Sequence, residues 1–309
     1  MKKSSCKSSL LKQRAFSTAK LREFWNDFSD DYVQEAETLG IPIGLDLYEL
    51  TRARKARRVI ETAAGAGTAS AMFIAHLLKL RSSFVACDLS DEMVSKIQQK
   101  YSDLSMLSDK IKYTKLAQEG KEEIDLCNFD DDVKNIYALR CSNEDIPIKD
   151  EQFDVYISNF SIHIVSDPEA MLREAHRLLK PEGTIGISLW KRRVESPFFK
   201  LFPEILRENG GDISDDYSYF NMEGRVPSYL EKTGFKSIKK ATKYIHYNEN
   251  VENVLRTALK TPFYRESIRA NPQEIVEQSI QEFCEVYSRE YPPEEEMMHF
   301  GVEICIANK

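Results

Sequence analysis

At 309 residues and 42% hydrophobic content the chain can bury a substantial core as one large domain, which argues against wholesale disorder. Lys and Arg number 43 against 50 Asp and Glu, and the formal net charge of −7 argues against general binding along a phosphate backbone. No run approaches the roughly 18 apolar residues of a membrane span, and the six scattered cysteines, without CxxC spacing, suit a reduced compartment lacking structural disulfides or a cysteine zinc site.

The first 22 residues carry seven Lys or Arg, no acid and many Ser. They read as a solvated, disordered tail, with an organellar presequence as the alternative. The expected location is therefore the cytoplasm, or the mitochondrion on the alternative. Residues 23–309 are expected to form a single domain. Over 23–57, "LREFWNDFSDDYVQEAETLG" has the aromatic and acidic mix of an amphipathic helical cap, and "IGLDLYELTRARKA" reads as a helix ahead of the first strand. A core is expected over 58–190: strand 58–61, helix "TASAMFIAHLLKL", strand "SSFVACDLS", helix "DEMVSKIQQKY". The polar stretch of about 102–135 reads as a loop insertion or an extra hairpin. Alternation resumes with strands "IYALRCS" and "FDVYISNF", the helix "DPEAMLREAHRLLK" with Asp167 as N-cap and Pro168 in its first turn, and strand "GTIGISLW". Residues 191–309 add helices, a strand after Gly234 and a last strand, "GVEICIANK", which reads as antiparallel. Strands alternating with helices of this length predict an α/β, doubly wound sheet.

"VIETAAGAGTAS", residues 59–70, is the informative stretch. A strand running into close glycines and then a helix lets a ligand approach the backbone at a helix N-terminus. Gly65-Ala66-Gly67, with Ser70 further on, partly fits a dinucleotide fingerprint, and Asp88 at the end of the next strand suits ribose hydroxyls in any such site. Glu61 discriminates better. A carboxylate directly before the loop would repel a pyrophosphate but suits the ammonium of an amino acid. Ser142, Asn143, Glu144 and Asp145 follow a third core strand, placed to meet an adenine edge.

With "MLREAHRLLKPEGTIGIS" downstream, the order of motifs resembles the class I S-adenosylmethionine-dependent methyltransferases, in the small-molecule (type 11, ubiquinone-biosynthesis-like) branch. The likeness is strong over roughly 59–189. It implies a Rossmann-like fold and S-adenosylmethionine as cofactor, held by Glu61, Ala63, Gly65, Gly67 and Asp88, with Leu89 and Met93 flanking ribose and adenine. Ser142, Asn143, Glu144, Asn159 and Tyr32 complete the expected set. Two departures stand out: Ala63 replaces the first family glycine, an exchange expected to be tolerated at negative φ, and Ser142 stands where an Asp is frequent.

The resemblance implies methyl transfer by in-line displacement, with the protein mainly aligning an O, N or C nucleophile. His163 is the expected general base if one is used, the alternative being a packing or carbonyl-holding histidine. Asn159-Phe160-Ser161-Ile162 lacks the proline pair of amino-methylating enzymes, and no set of spaced carboxylates suggests a metal. Trp25, Phe28 and Tyr32 read as a lid. Trp190, Phe198, Phe199, Phe202, Tyr217, Tyr219 and Phe220 point to a flat or apolar small-molecule acceptor. A non-catalytic binding or assembly protein on the same fold, and an NAD-dependent oxidoreductase, are the competing readings.

Overall fold

The structure, a computed structural model, describes residues 17–116, 124–126, 132–191, 197–213, 222, 224–247, 250–290 and 298–309. The N-terminal cap comprises α1 (Thr18–Asp27), the single turn α2 (Ser29–Asp31), a π-helical turn (Tyr32–Ala36) and α3 (Glu37–Leu50). A βα alternation follows: β1 (Arg58–Thr62), α4 (Thr68–His76), β2 (Ser82–Asp88), α5 (Asp91–Leu107), β3 (Ile111–Lys115), β4 (Lys134–Arg140), β5 (Phe153–Ser158), α6 (Pro168–Leu178) and β6 (Leu179–Trp190). The C-terminal part contributes α7 (Pro197–Glu208), α8 (Val226–Lys232), β7 (Lys236–Tyr247), α9 (Val251–Lys260), α10 (Pro262–Ala270), α11 (Gln273–Glu290) and β8 (Met298–Asn308).

One eight-stranded sheet runs β3-β4-β2-β1-β5-β6-β8-β7. Pairs from β3 to β6 are parallel, and β8 lies antiparallel between β6 and β7. The expected doubly wound sheet with an antiparallel C-terminal strand is therefore observed. Every residue of β2 is buried, because helices cover both faces of the parallel strands. One apolar layer, including Tyr156, Leu172 and Leu230, packs α6 and α8 on one face. The other, including Leu47, Phe73 and Ile97, packs α3, α4 and α5. A third cluster around Phe202, Leu255 and Phe283 joins α7, α9 and α11.

One expectation is corrected. Helix α5 continues through Leu107, and 111–115 forms an edge strand parallel to β4, so the stretch expected as a loop insertion or extra hairpin from about residue 102 begins with regular structure. A polar strand such as "IKYTK" fits an edge position, where one side faces water, and composition alone does not reveal it. The tips of α5 and α6 follow capping rules: Ser90 Oγ accepts from Met93 N at 3.1 Å, and Asp167 Oδ1 from Ala170 N at 2.9 Å. No helix among the described residues is long and apolar enough to cross a membrane. The basic tail lies outside the described residues except from Ser17, as do Tyr217, Tyr219 and Phe220; the side chains of Phe198 and Phe199 are likewise undescribed.

Candidate functional site

Strand order reverses between β1 and β5, since the chain moves outward from β1 to β2 and returns to place β5 on its other side. Crevices at such switch points, beyond the carboxyl ends of parallel strands, are where open α/β sheets bind ligands. A cavity of about 720 Å³ sits there, walled by the cap, the β1, β2, β4 and β5 loops, and α9.

Its inner end is acidic. Glu61, only 3% exposed, accepts a 2.8 Å hydrogen bond from Tyr48 Oη, and burial pushes its carboxyl up to about 8. Asp88 accepts from Gly65 N and Ser90 N, both at 2.9 Å; burial pushes it up to about 6 against these two bonds. Glu37 reaches across from α3 and accepts from Thr68 N at 3.1 Å, capping α4, which has no local side-chain cap. Burial and these same carboxylates raise the Tyr32 hydroxyl. Among the described residues, the Lys and Arg lining the cavity are Arg256 and Lys260, and both are ion-paired on α9's side, to Glu252 and Glu277 and to Glu35. Glu37, Glu61 and Asp88 thus form a buried cluster of carboxyl groups with no cationic side chain of its own among the described residues.

The β1 loop explains its glycines. Gly65 has φ +58°, and a Cβ there would lie 3.0 Å from the Tyr32 ring; Gly67 has φ +78°, and a Cβ would lie 2.9 Å from Ile97. Ala63 adopts φ +50°. The negative φ at which an alanine is tolerated without strain is not found: the backbone keeps the glycine conformation and the alanine bears the left-handed strain, about 1 kcal/mol. The β5 loop is held differently. Asn159 donates to Gly40 O at 2.9 Å and accepts from Ser188 Oγ at 2.6 Å, while Phe160 N donates to that same Ser188 Oγ at 3.0 Å. These bonds hold Phe160 at φ +50° with its ring stacked on Trp190, centroids 4.1 Å apart.

The structure brings the expected residues together. Tyr32, Glu61, Ala63, Gly65, Asp88, Leu89, Met93, Ser142, Asn143, Glu144, Asn159 and His163 all line the cavity. Gly67 instead caps α4, and Asp145 is exposed outside the cavity. His163 is buried, and desolvation pushes its imidazole down to about 3, so it is neutral and a weak proton acceptor. Of the described aromatic residues beyond β6, Trp190 lines the cavity, but Phe202 belongs to the C-terminal core at 1% exposure. Trp25 and Phe28 roof the cavity beside Tyr32, with Trp25 edge-on to Tyr32 at 6.0 Å. Sequence reading missed Glu37, Tyr48 and the whole α9 wall. No motif marks them, because they reach the site from α3 and α9, helices that lie apart in sequence from the glycine loop. Glu35 of the cap meets Thr257 Oγ1 at 2.9 Å and Lys260 Nζ at 2.8 Å, joining roof to wall.

Residues 63–187 match the family model described as a methyltransferase domain. The demethylmenaquinone methyltransferase of Lactobacillus johnsonii is 33% identical over 108 residues, 30% of this chain and 43% of that protein. The ubiquinone/menaquinone biosynthesis C-methyltransferase UbiE of Shewanella frigidimarina is 28% identical over 165 residues, 51% of this chain and 55% of that one. The chain spans about half the length of these curated relatives. Among solved structures, a candidate methyltransferase of an antibiotic biosynthesis pathway from Anabaena variabilis superposes with a TM-score of 0.55 at 14% identity, covering 87% of this chain and 97% of that one, and shows a shared fold. Residues 63–187 thus form a methyltransferase domain of the type 11 family, similar in sequence to the UbiE-type methyltransferases.

Proposed function

We propose that the protein transfers a methyl group from S-adenosylmethionine to a nucleophilic atom of a small, apolar or aromatic acceptor. The supporting observation is the continuity of one cavity: a carboxyl- and glycine-lined inner end joined to a chamber walled by Phe160, Trp190, Val254, Tyr264 and Phe300. The inner end suits the cofactor. Buried carboxylates without their own cations favour a ligand carrying an ammonium and a sulfonium, and close glycines admit it to the backbone. When bound, S-adenosylmethionine supplies a methyl on a sulfonium whose leaving group is a neutral thioether.

Glu61 and the β1 loop are assigned to the amino-acid end, and Asp88 to the ribose. Leu89, Met93 and the Ser142–Glu144 turn are assigned to the base. Trp25, Phe28 and Tyr32 exclude water, and the Phe160–Trp190 stack orients the acceptor. Alignment is the main contribution asked of the protein. His163, held neutral by burial, serves this reading as a positioning contact for the acceptor rather than as a strong base. The names of the UbiE-type relatives, C-methyltransferases, favour a carbon as one acceptor atom to test.

Calorimetric titration of the purified chain with S-adenosylmethionine, S-adenosylhomocysteine and NAD tests this reading, with Asp88→Ala as control. Micromolar binding of the first two is expected, weakened about 100-fold in the variant by loss of charge-assisted hydrogen bonds. Binding of NAD alone would overturn the reading. Tight cofactor binding without turnover of any ring-hydroxyl, amine or activated-carbon acceptor would favour the non-catalytic alternative.

A further inference from the structure

The end of the sheet opposite the cavity has its own chemistry. Because β1 to β6 are parallel, their N-termini share one end, and α3, α4 and α5 finish there, running into β1, β2 and β3. Backbone bonds stitch these loops together: Ser83 N to Arg57 O at 2.7 Å, Arg81 N to Val133 O at 3.0 Å, and Lys134 N to Lys110 O at 2.8 Å. Lys79 Nζ donates to the Lys55 carbonyl, tying the first loop to the second.

Cations crowd these loops. Arg52, Arg54, Lys55 and Arg57 are exposed between α3 and β1, Lys79 and Arg81 before β2, and Lys110 before β3. Among the described residues, the exposed acids beside them are Glu49, paired with Arg54, Asp132, paired with Arg81, and Asp109. At β5, Asp150 and Glu151 already meet Arg177 and Lys309, while Asp154 meets Lys180 and accepts from Arg57 N at 2.8 Å and Arg58 N at 2.9 Å. Among the described residues a positive excess therefore remains at the α3–α5 loops, in a chain whose net charge is −7.

Apolar side chains stand among these cations. Leu50 is 48% exposed, Leu77 47% and Leu80 46%, while Met106 and Leu107 at the end of α5 reach 77% and 84%. Exposed apolar tips set among cations are the mixture that an interfacial surface presents. Its composition selects the partner. Anionic headgroups above hydrocarbon satisfy both the cations and the leucine and methionine tips, whereas nucleic acid would leave the tips in water. We propose that this end docks the protein onto an anionic lipid surface. The cavity lies at the opposite ends of the same strands, so docking leaves it clear.

Co-sedimentation of the full chain with vesicles of phosphatidylcholine, alone or with about 30% phosphatidylglycerol, tests the assignment. Partition into the anionic vesicles should be at least about tenfold stronger and should fall with salt. Lys55→Glu with Arg57→Glu should weaken it by about tenfold or more, and Met106→Ser with Leu107→Ser by severalfold, with melting temperature and cofactor titration unchanged. Equal partition into neutral vesicles, or none into either, would overturn the proposal. So would double variants that bind like the parent, which would place the attraction in the basic first 22 residues. Full competition by a short DNA duplex, with the Met106 and Leu107 changes inert, would assign this end to nucleic acid instead.

Discussion

The loops after β1 and β5 flank the same switch point and solve the same geometric problem with opposite materials. Each carries a non-glycine residue at φ +50°, Ala63 in the first and Phe160 in the second. The β1 loop is made of small residues and leaves room for a ligand against its backbone, with Asp88 accepting from Gly65 N. The β5 loop has no glycine and is tied down by Asn159 and Ser188, which leaves the Phe160 ring stacked against Trp190. The lesson is that one loop is shaped by what must be absent and the other by what must be present. The first should therefore respond to added atoms and the second to removed ones.

The largest expected effect tests the second loop. Trp190→Ala removes the ring under Phe160 and should cost about 2–3 kcal/mol in chemical denaturation, with cofactor affinity within about threefold of the parent. A drop in cofactor affinity matching the stability loss would erase the division between the loops. Next comes Gly65→Ala, whose Cβ meets the Tyr32 ring at 3.0 Å in a left-handed backbone. About 2 kcal/mol of strain and displacement should appear as roughly a 30-fold weaker cofactor titration. Unchanged affinity would mean the cofactor does not approach this loop.

Protonation sharpens the contrast further, because only the first loop is lined by raised carboxyls. Glu61 rises from 4.5 to about 8 and Asp88 from 3.8 to about 6, both chiefly by burial. Between the ordinary and raised values the folded chain holds protons that the unfolded chain has released. These two carboxyls should thus contribute stability to the ligand-free protein that is fully present below the lower values and is lost as pH rises through about 6 for Asp88 and about 8 for Glu61. A cationic ligand favours the ionised carboxylates, so cofactor binding near neutral pH should release protons. Calorimetry in buffers of different ionisation enthalpy reads this directly; uptake of protons would contradict it.

The smallest effect belongs to Ala63→Gly. Relief of left-handed strain is worth about 1 kcal/mol, and the freer unfolded chain takes back roughly 0.5 of it. A net gain of under about 1 kcal/mol in denaturation midpoint is expected; a loss would mean that the Ala63 methyl makes packing contacts exceeding its strain.

Much of the site was legible because its first parts are local in sequence. Glu61 to Gly67 and Asp88 are set by a strand, a turn and the next strand tip, and Asp167 with Pro168 announces a helix within four residues. His163 was found by position, but its protonation was not, since burial is a sum over neighbours from the whole fold. Glu37 escaped because nothing near it in sequence signals that its carboxylate caps α4 from 31 residues away. The aromatic segment after β6 split between a cavity wall at Trp190 and a core at Phe202, and periodicity does not distinguish these when both surfaces are apolar.

By itself the sequence determined the alternation of buried strands and amphipathic helices, hence the parallel sheet, its switch point and the glycine loop with its acids. These follow from local periodicity and backbone sterics, which neighbouring residues suffice to encode. Tertiary structure alone decided the left-handed Ala63, the closing of the cap onto α9 through Glu35 and Lys260, and the buried carboxylates left without cations. Each of these depends on which distant side chains come to share a low-dielectric space, and chain order does not carry that information.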